Sequence, residues 1–186
     1  MLKGDAKPAK GSMLIAEPFM QDQYFKRSVV LLAEHNEEGT VGFILNNPLE
    51  LRLKDVMDDT GDSKMPLFLG GPVQKDNLFF IHTLGDLIED SLLITDGIWW
   101  SGNFETVKEM VKRNEMKEEH IRFFIGYSGW SEGQLEEELK SNNWIVTKAN
   151  AKHILLPHDK VWGTILKGMG KKYAEISNYP EDPSLN

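Results

Sequence analysis

Residues Ile121–Lys140 read IRFFIGYSGWSEGQLEEELK. The first seven, Ile121–Tyr127, are rich in aromatic and β-branched side chains, which fit a pleated and packed surface. They read as the most aromatic strand of the chain. Gly129 and Gly133 punctuate the residues after it. Gln134–Lys140 then places Leu135 and Leu139 four apart, the spacing of one helical face. A strand, a turn and a helix therefore succeed one another within a short stretch, and this unit is the expected centre of the domain.

Working outward, short apolar runs with turn residues between them dominate. Ser12–Ala16 (SMLIA), Ser28–Glu34 (SVVLLAE) and Thr40–Leu45 (TVGFIL) read as strands. Asn36–Gly39 suits a tight turn, so the last two should form a hairpin. Leu67–Leu69, Leu78–His82 and Ser91–Thr95 are further strands, and Asp96–Gly97 signals a hairpin into Ile98–Trp100. Trp144–Thr147 is another strand. Helices are expected at Leu51–Met57, at Phe104–Val111 with Asn103 as N-cap, and at Val161–Met169 closed by Gly170 with Lys171 and Lys172 at its negative end. Strands outnumber helices and most join through short turns. The expected fold is α+β: a single domain over residues 12–186, with a mixed or antiparallel sheet flanked by several helices. Residues 1–11 are polar and basic and read as a disordered N-terminal extension. The last residues, from Asn178, read as extended.

With 186 residues the chain is long enough for one substantial core. It contains no cysteine, which excludes disulfides, thiolate nucleophiles and Cys-ligated zinc or iron–sulfur centres. No run of about 18 apolar residues occurs, so no membrane span is expected, and the cytoplasm is the expected location. The net charge of −8 opposes non-specific contact with nucleic-acid phosphates.

The sharpest motif is Gly129–Gly133 (GWSEG), which satisfies G-x-S-x-G between a strand and a helix, the context of a nucleophile elbow. A serine hydrolase would use Ser131, with His153 or His158 as base. The same serine followed by Gln134 also satisfies a capping box, which assigns it to the start of a helix. Gly70–Gly71–Pro72 offers backbone amides to an anion or, more simply, makes a turn. The five histidines include no i,i+4 pair, so no metal site is expected, nor any cofactor. Trp99 and Trp100 face opposite sides of a strand, which leaves one of them a candidate for exposure. Arg27, Arg122 and Glu136 are candidates for a partly buried charge network.

Several stretches line up, in order, with one family. These are GSMLIAEP (11–18), FKRSVV (25–30), Glu34–His35, GFILNNP (42–48), GGPV (70–73), GYSGWSEGQLEEE (126–138), Trp144 and PEDPSLN (180–186). On these motifs the chain resembles the YqgE/AlgH family of uncharacterised bacterial proteins. The resemblance implies an α+β fold with a mixed, barrel-like sheet, and a label of transcriptional regulator is attached to some members. It carries over no catalytic residue. The family often has Gly or Ala at the position of Ser131, which opposes a nucleophile there, and a basic residue at the position of Asn47.

The leading expectation is a non-enzymatic binding or regulatory domain that contacts a protein or small molecule through a rim near Trp130, Gln134 and Glu136. The candidate binding residues, drawn from the stretches above, are Arg27, His35, Asn46, Tyr127, Trp130, Gln134 and Glu136. A transcriptional regulator and a serine hydrolase are the alternatives. Oligomeric state is not readable from the residues.

Overall fold

A computed structural model describes residues 6–178. Within them ten strands form one sheet, in the order β10-β1-β2-β3-β9-β6-β8-β7, with β4 and β5 attached through β9. The strands are β1 (Ser12–Ala16), β2 (Val29–Asn36), β3 (Gly39–Ile44), β4 (Pro48–Arg52), β5 (Pro66–Leu69), β6 (Val73–His82), β7 (Leu92–Thr95), β8 (Ile98–Trp100), β9 (Ile121–Ser131) and β10 (Trp144–Lys148). Pairing is antiparallel except where β5 runs parallel to β9. The mixed sheet curls into a half-barrel, as expected.

β9 organises it. Its first half pairs with β6 and β5, and its second half, Ser128–Ser131, pairs with β3. The changeover falls at Gly126, whose φ is +67°. A Cβ there would lie 2.7 Å from the carbonyl oxygens of Gly71 and Val73, so only glycine fits. Gly70–Gly71 belongs to the same close approach. A Cβ on Gly70 would meet the Gly126 carbonyl oxygen at 2.2 Å. That pair is therefore packed against β9 and is not an anion-binding turn.

The helices are α1 (Phe104–Lys112), α2 (Gln134–Lys140), α3 (Ala151–Ile154), α4 (His158–Gly168) and α5 (Lys171–Ile176). Alternate strand residues reach separate cores. Met13, Ile15, Val29 and Leu31 join Phe43, Phe124 and the apolar faces of α4 and α5. Leu14, Val30 and Leu32 point the other way, to Leu135 of α2. Phe80 and Phe123 meet Val107 and Val111 of α1. Helices thus cover both faces, which is why SMLIA and VVLL are continuous apolar runs instead of alternating ones.

Several expectations need correction. Leu51–Met57 is not a helix. Pro48–Arg52 is a strand against β5, and only Leu53–Asp55 turns helically. Gly170 does not simply close α4: it has φ +111° and precedes α5, so Lys171 and Lys172 open a further helix. The four residues of α3 form a helix that the sequence does not signal. Neither Trp99 nor Trp100 is exposed. Trp99 stacks on His82 with ring centroids 6.4 Å apart, and Trp100 packs 5.8 Å from Phe43 on the opposite face. The Phe104 helix, by contrast, starts as predicted, with Asn103 Oδ1 accepting from the Thr106 N–H at 3.0 Å.

Of residues 1–11, the first five lie outside the described residues. Ala6 packs on the α2-side core, and the Gly11 N–H donates to the Leu32 carbonyl at 2.9 Å. The C-terminal stretch beyond Asn178 also lies outside the described residues.

Candidate functional site

The elbow serine is reached first from the sequence. Ser131 ends β9, exposed, and α2 is preceded by Gly133 at φ +72°. The capping-box reading is half right. Gln134 Oε1 accepts from the Ser131 N–H at 3.1 Å, but the Ser131 hydroxyl donates to that same oxygen at 3.3 Å and caps no helix N–H. His158, a candidate for its base, lines a different concavity.

A serine does meet a histidine at another place. Ser91 Oγ lies 3.2 Å from Nε2 of the buried His82. The neighbours fix the tautomer. The Leu84 N–H donates to His82 Nδ1 at 3.2 Å, so the proton sits on Nε2 and is donated to the Ser101 carbonyl at 3.0 Å. The Ser91 hydroxyl donates to the Ile88 carbonyl at 2.6 Å. Nε2 has no lone pair for the serine proton, so this contact is a structural knot. Burial also holds the His82 pKa below its usual value, the Ser101 bond opposing.

The predicted binding residues separate into groups. His35 and Glu136 do meet at one end of the half-barrel, while Gln134 is bonded to Ser131 and Glu138. His35 Nδ1 is 2.7 Å from Thr40 Oγ1, and its Nε2 is 3.7 Å from Glu136 Oε1. Tyr127 is half-buried near this end, in edge contact with Phe79 at 5.7 Å. Trp130 borders a rim hollow, but the residue is only 4% exposed and packs with Phe25 and Trp144. Asn46 is a tie between strands, its Oδ1 accepting from the Val29 N–H and its Nδ2 donating to the Arg27 carbonyl, both at 2.9 Å. Arg27 lies over the Trp162 ring at 4.8 Å. Among the described residues Arg122 and Glu136 do not pair as predicted, because Glu136 faces His35 while Arg122 binds carbonyls.

Hollows at the rim have volumes of about 380, 750 and 350 Å³. A cleft of about 810 Å³ opens elsewhere, where β4, β5 and the start of β9 meet the α3–α4 connection. Volume alone does not single it out. A buried charge does.

Arg122 lies on the floor of this cleft and is 6% exposed. Its Nη1 donates to the Leu45 and Ile154 carbonyls at 2.7 and 3.0 Å, and its Nη2 to the Leu156 carbonyl at 2.7 Å. The guanidinium stacks 4.6 Å from the Phe68 ring centroid, and His158 touches the same ring edge-on at 6.0 Å. Among the described residues no carboxylate hydrogen-bonds to it. Desolvation pushes its pKa down to about 10, and the nearby Glu118 carboxylate opposes this in part. It stays charged at neutral pH. The walls add Leu49, Ile121 and Leu155, with Arg52, Lys117 and Glu119 toward solvent. Among the described residues, no group of three or more His, Asp or Glu is placed to hold a metal.

The AlgH-like family pattern matches residues 13–174. The chain belongs to the AlgH-like family. Among its AlgH-like relatives, a UPF0301 protein of Cytophaga hutchinsonii is 41% identical over 179 residues, covering 95% of this chain and 98% of the relative. A UPF0301 protein of Parabacteroides distasonis is 42% identical over 185 residues, covering 98% and 93%. The solution structure of AlgH from Pseudomonas aeruginosa superposes with a TM-score of 0.74 at 27% identity, covering 95% of this chain and 97% of that one. A crystal structure from Corynebacterium diphtheriae gives 0.78 at 23% identity, over 96% and 95%, and supports the shared fold.

In this AlgH-like chain the cleft escapes sequence reading because its lining comes from four separated stretches, 48–52, 66–68, 117–122 and 155–159. One signal was present: an arginine inside the most aromatic strand, where a charge needs a reason.

Proposed function

We propose that the protein is a non-catalytic binding domain of the bacterial cytoplasm, with the Arg122 cleft as its ligand site. One observation carries the reading. A buried guanidinium, unmatched by any hydrogen-bonded carboxylate among the described residues, forms the floor of a concave site with apolar walls. Binding pockets commonly combine apolar lining with a few convergent polar groups at about this volume. The rim near Gln134 and Glu136 loses Trp130 as an aromatic anchor, so the cleft replaces it.

A serine hydrolase is not favoured. Ser131 donates to a glutamine, and Ser91 faces the protonated nitrogen of its histidine. Direct DNA binding is opposed by the net charge of −8. The Cys-free composition fits a reducing compartment and so supports the cytoplasmic reading.

A chemically diverse fragment library, screened by amide chemical-shift mapping on the full chain, tests this reading. Hits should gather on Phe68, Ile121, Arg122 and Leu155. Hits gathered at His35 and Glu136 instead would move the site back to the rim.

A further inference from the structure

Resting on the binding reading above, we propose that the cleft takes a small organic anion: a carboxylate or phosphomonoester of one or two negative charges carried on an apolar body. The anionic group is called for by Arg122. Its three carbonyl bonds satisfy donors but carry no net negative charge, and Glu118 acts on it only at longer range, so the guanidinium enters the cleft floor as a desolvated cation with no carboxylate among the described residues hydrogen-bonded to it. An anion seated above it gains a strong interaction, because charge–charge attraction grows as water is excluded. Arg52, exposed on the wall, adds a second cation beside the entrance. Lys117 and Glu119 face each other at 4.0 Å and largely cancel.

The apolar body is called for by the rest of the lining. Leu49, Phe68, Ile121 and Leu155 surround the charged floor, and Phe68 already stacks under the guanidinium. The limit on charge comes from Glu118 and Asp159, which also line the cleft. Two carboxylates facing two cations tolerate a monoanion or dianion but repel a polyphosphate. The negative net charge of the whole chain acts in the same sense.

The test uses the full chain, amide chemical-shift titrations at constant ionic strength, and four probes of similar shape. These are 3-phenylpropionate, 2-phenylethyl phosphate, neutral 3-phenylpropionamide and cationic 3-phenylpropylamine. At least one anion should shift the amides of Phe68, Ile121, Arg122 and Leu155 and bind about tenfold tighter than the amide. The tighter of the two anions identifies the headgroup. Arg52→Gln, which alters an exposed side chain and spares the buried clip, should weaken the anion at least about threefold and leave the amide unchanged. If the amide and amine bind as well as the anions, or Arg52→Gln leaves the anion unaffected, the anion assignment falls while a ligand cleft remains. If no probe moves a cleft amide and the fragment library also misses the cleft, both readings fall, and Arg122 is a structural clip only.

Discussion

Trp130 and Trp144 are tied together through one atom: both indole N–H groups donate to Glu138 Oε2, at 3.0 and 2.7 Å. The rings meet edge-on at 6.1 Å, one from β9 and one from β10, and Glu138 reaches down to them from α2. A short helix with one fully buried residue, Leu135, gains its fixed seat from this bond pair.

Removing that carboxylate leaves two indole donors without their acceptor. Glu138→Ala should therefore cost about 2–3 kcal/mol, since hydrogen bonds to charged groups contribute more than neutral ones. Glu138→Gln, which keeps one acceptor oxygen, should cost about 1 kcal/mol. Urea denaturation followed by tryptophan fluorescence measures both. Equal losses for the two variants would show that the shared acceptor is not what seats the helix.

Arg122 makes a second prediction about geometry over charge. Its planar fork reaches three carbonyls that belong to the residue just after β3, the end of α3 and the α3–α4 connection. A lysine keeps the charge but presents a single ammonium on a flexible stem. Arg122→Lys should cost about 3 kcal/mol or more, the scale seen when a buried charge loses its partners. Hydrogen exchange should speed up first in α3. A loss below about 1 kcal/mol, the scale of an ordinary hydrogen bond, would refute the clip.

At the elbow, two small substitutions separate backbone strain from side-chain chemistry. Ser131 is exposed and caps no helix N–H, so Ser131→Ala should stay within about 0.5 kcal/mol. Gly133 has φ +72°, and among the described residues no atom beyond its chain neighbours and its own helix lies within 4 Å of where a Cβ would stand. Gly133→Ala therefore meets conformational strain and no clash, and it should cost about 1 kcal/mol. A fluorophosphonate probe should label neither Ser131 nor Ser91. Labelling of Ser131 in the wild type would revive the hydrolase.

Much of this architecture was legible in the chain, and for identifiable reasons. α2 runs from Gln134 to Lys140 as its leucine spacing predicts, and the Asp96–Gly97 turn joins β7 to β8 with Gly97 at φ +77°. Leu51–Met57 misleads because its apolar positions fit either element. In the structure Leu51 and Val56 are 44% and 43% exposed, and Leu53 alone among them is buried. α3 and α5 are too short to show a period. Trp130 and Glu136 sit close enough in sequence to suggest one rim. Strand alternation turns Trp130 inward, and the helix holds Glu136 outward. The cleft was illegible, because four separated stretches converge there, although Arg122 in an aromatic strand marked its floor.

His82 supplies the pH prediction. Its pKa is lowered in the folded state, chiefly by burial, while in the unfolded chain it titrates near 6.5. Below that value the unfolded chain binds the extra proton and the folded one resists it, so unfolding takes up a proton. The stability contribution is complete above 6.5 and is lost as pH falls from there through the lower folded value. The hydrogen bonds give the mechanism. A second proton must sit on Nδ1, where it would oppose the Leu84 N–H that now donates to that atom at 3.2 Å. Wild-type stability should therefore fall as the pH drops below 6.5, with a His82 contribution of at most about 1.4 kcal/mol per pH unit. His82→Gln loses stability at every pH but should lack this added slope. If the two proteins keep parallel stability curves across that window, His82 does not titrate as argued, and the carboxylates account for any acid sensitivity.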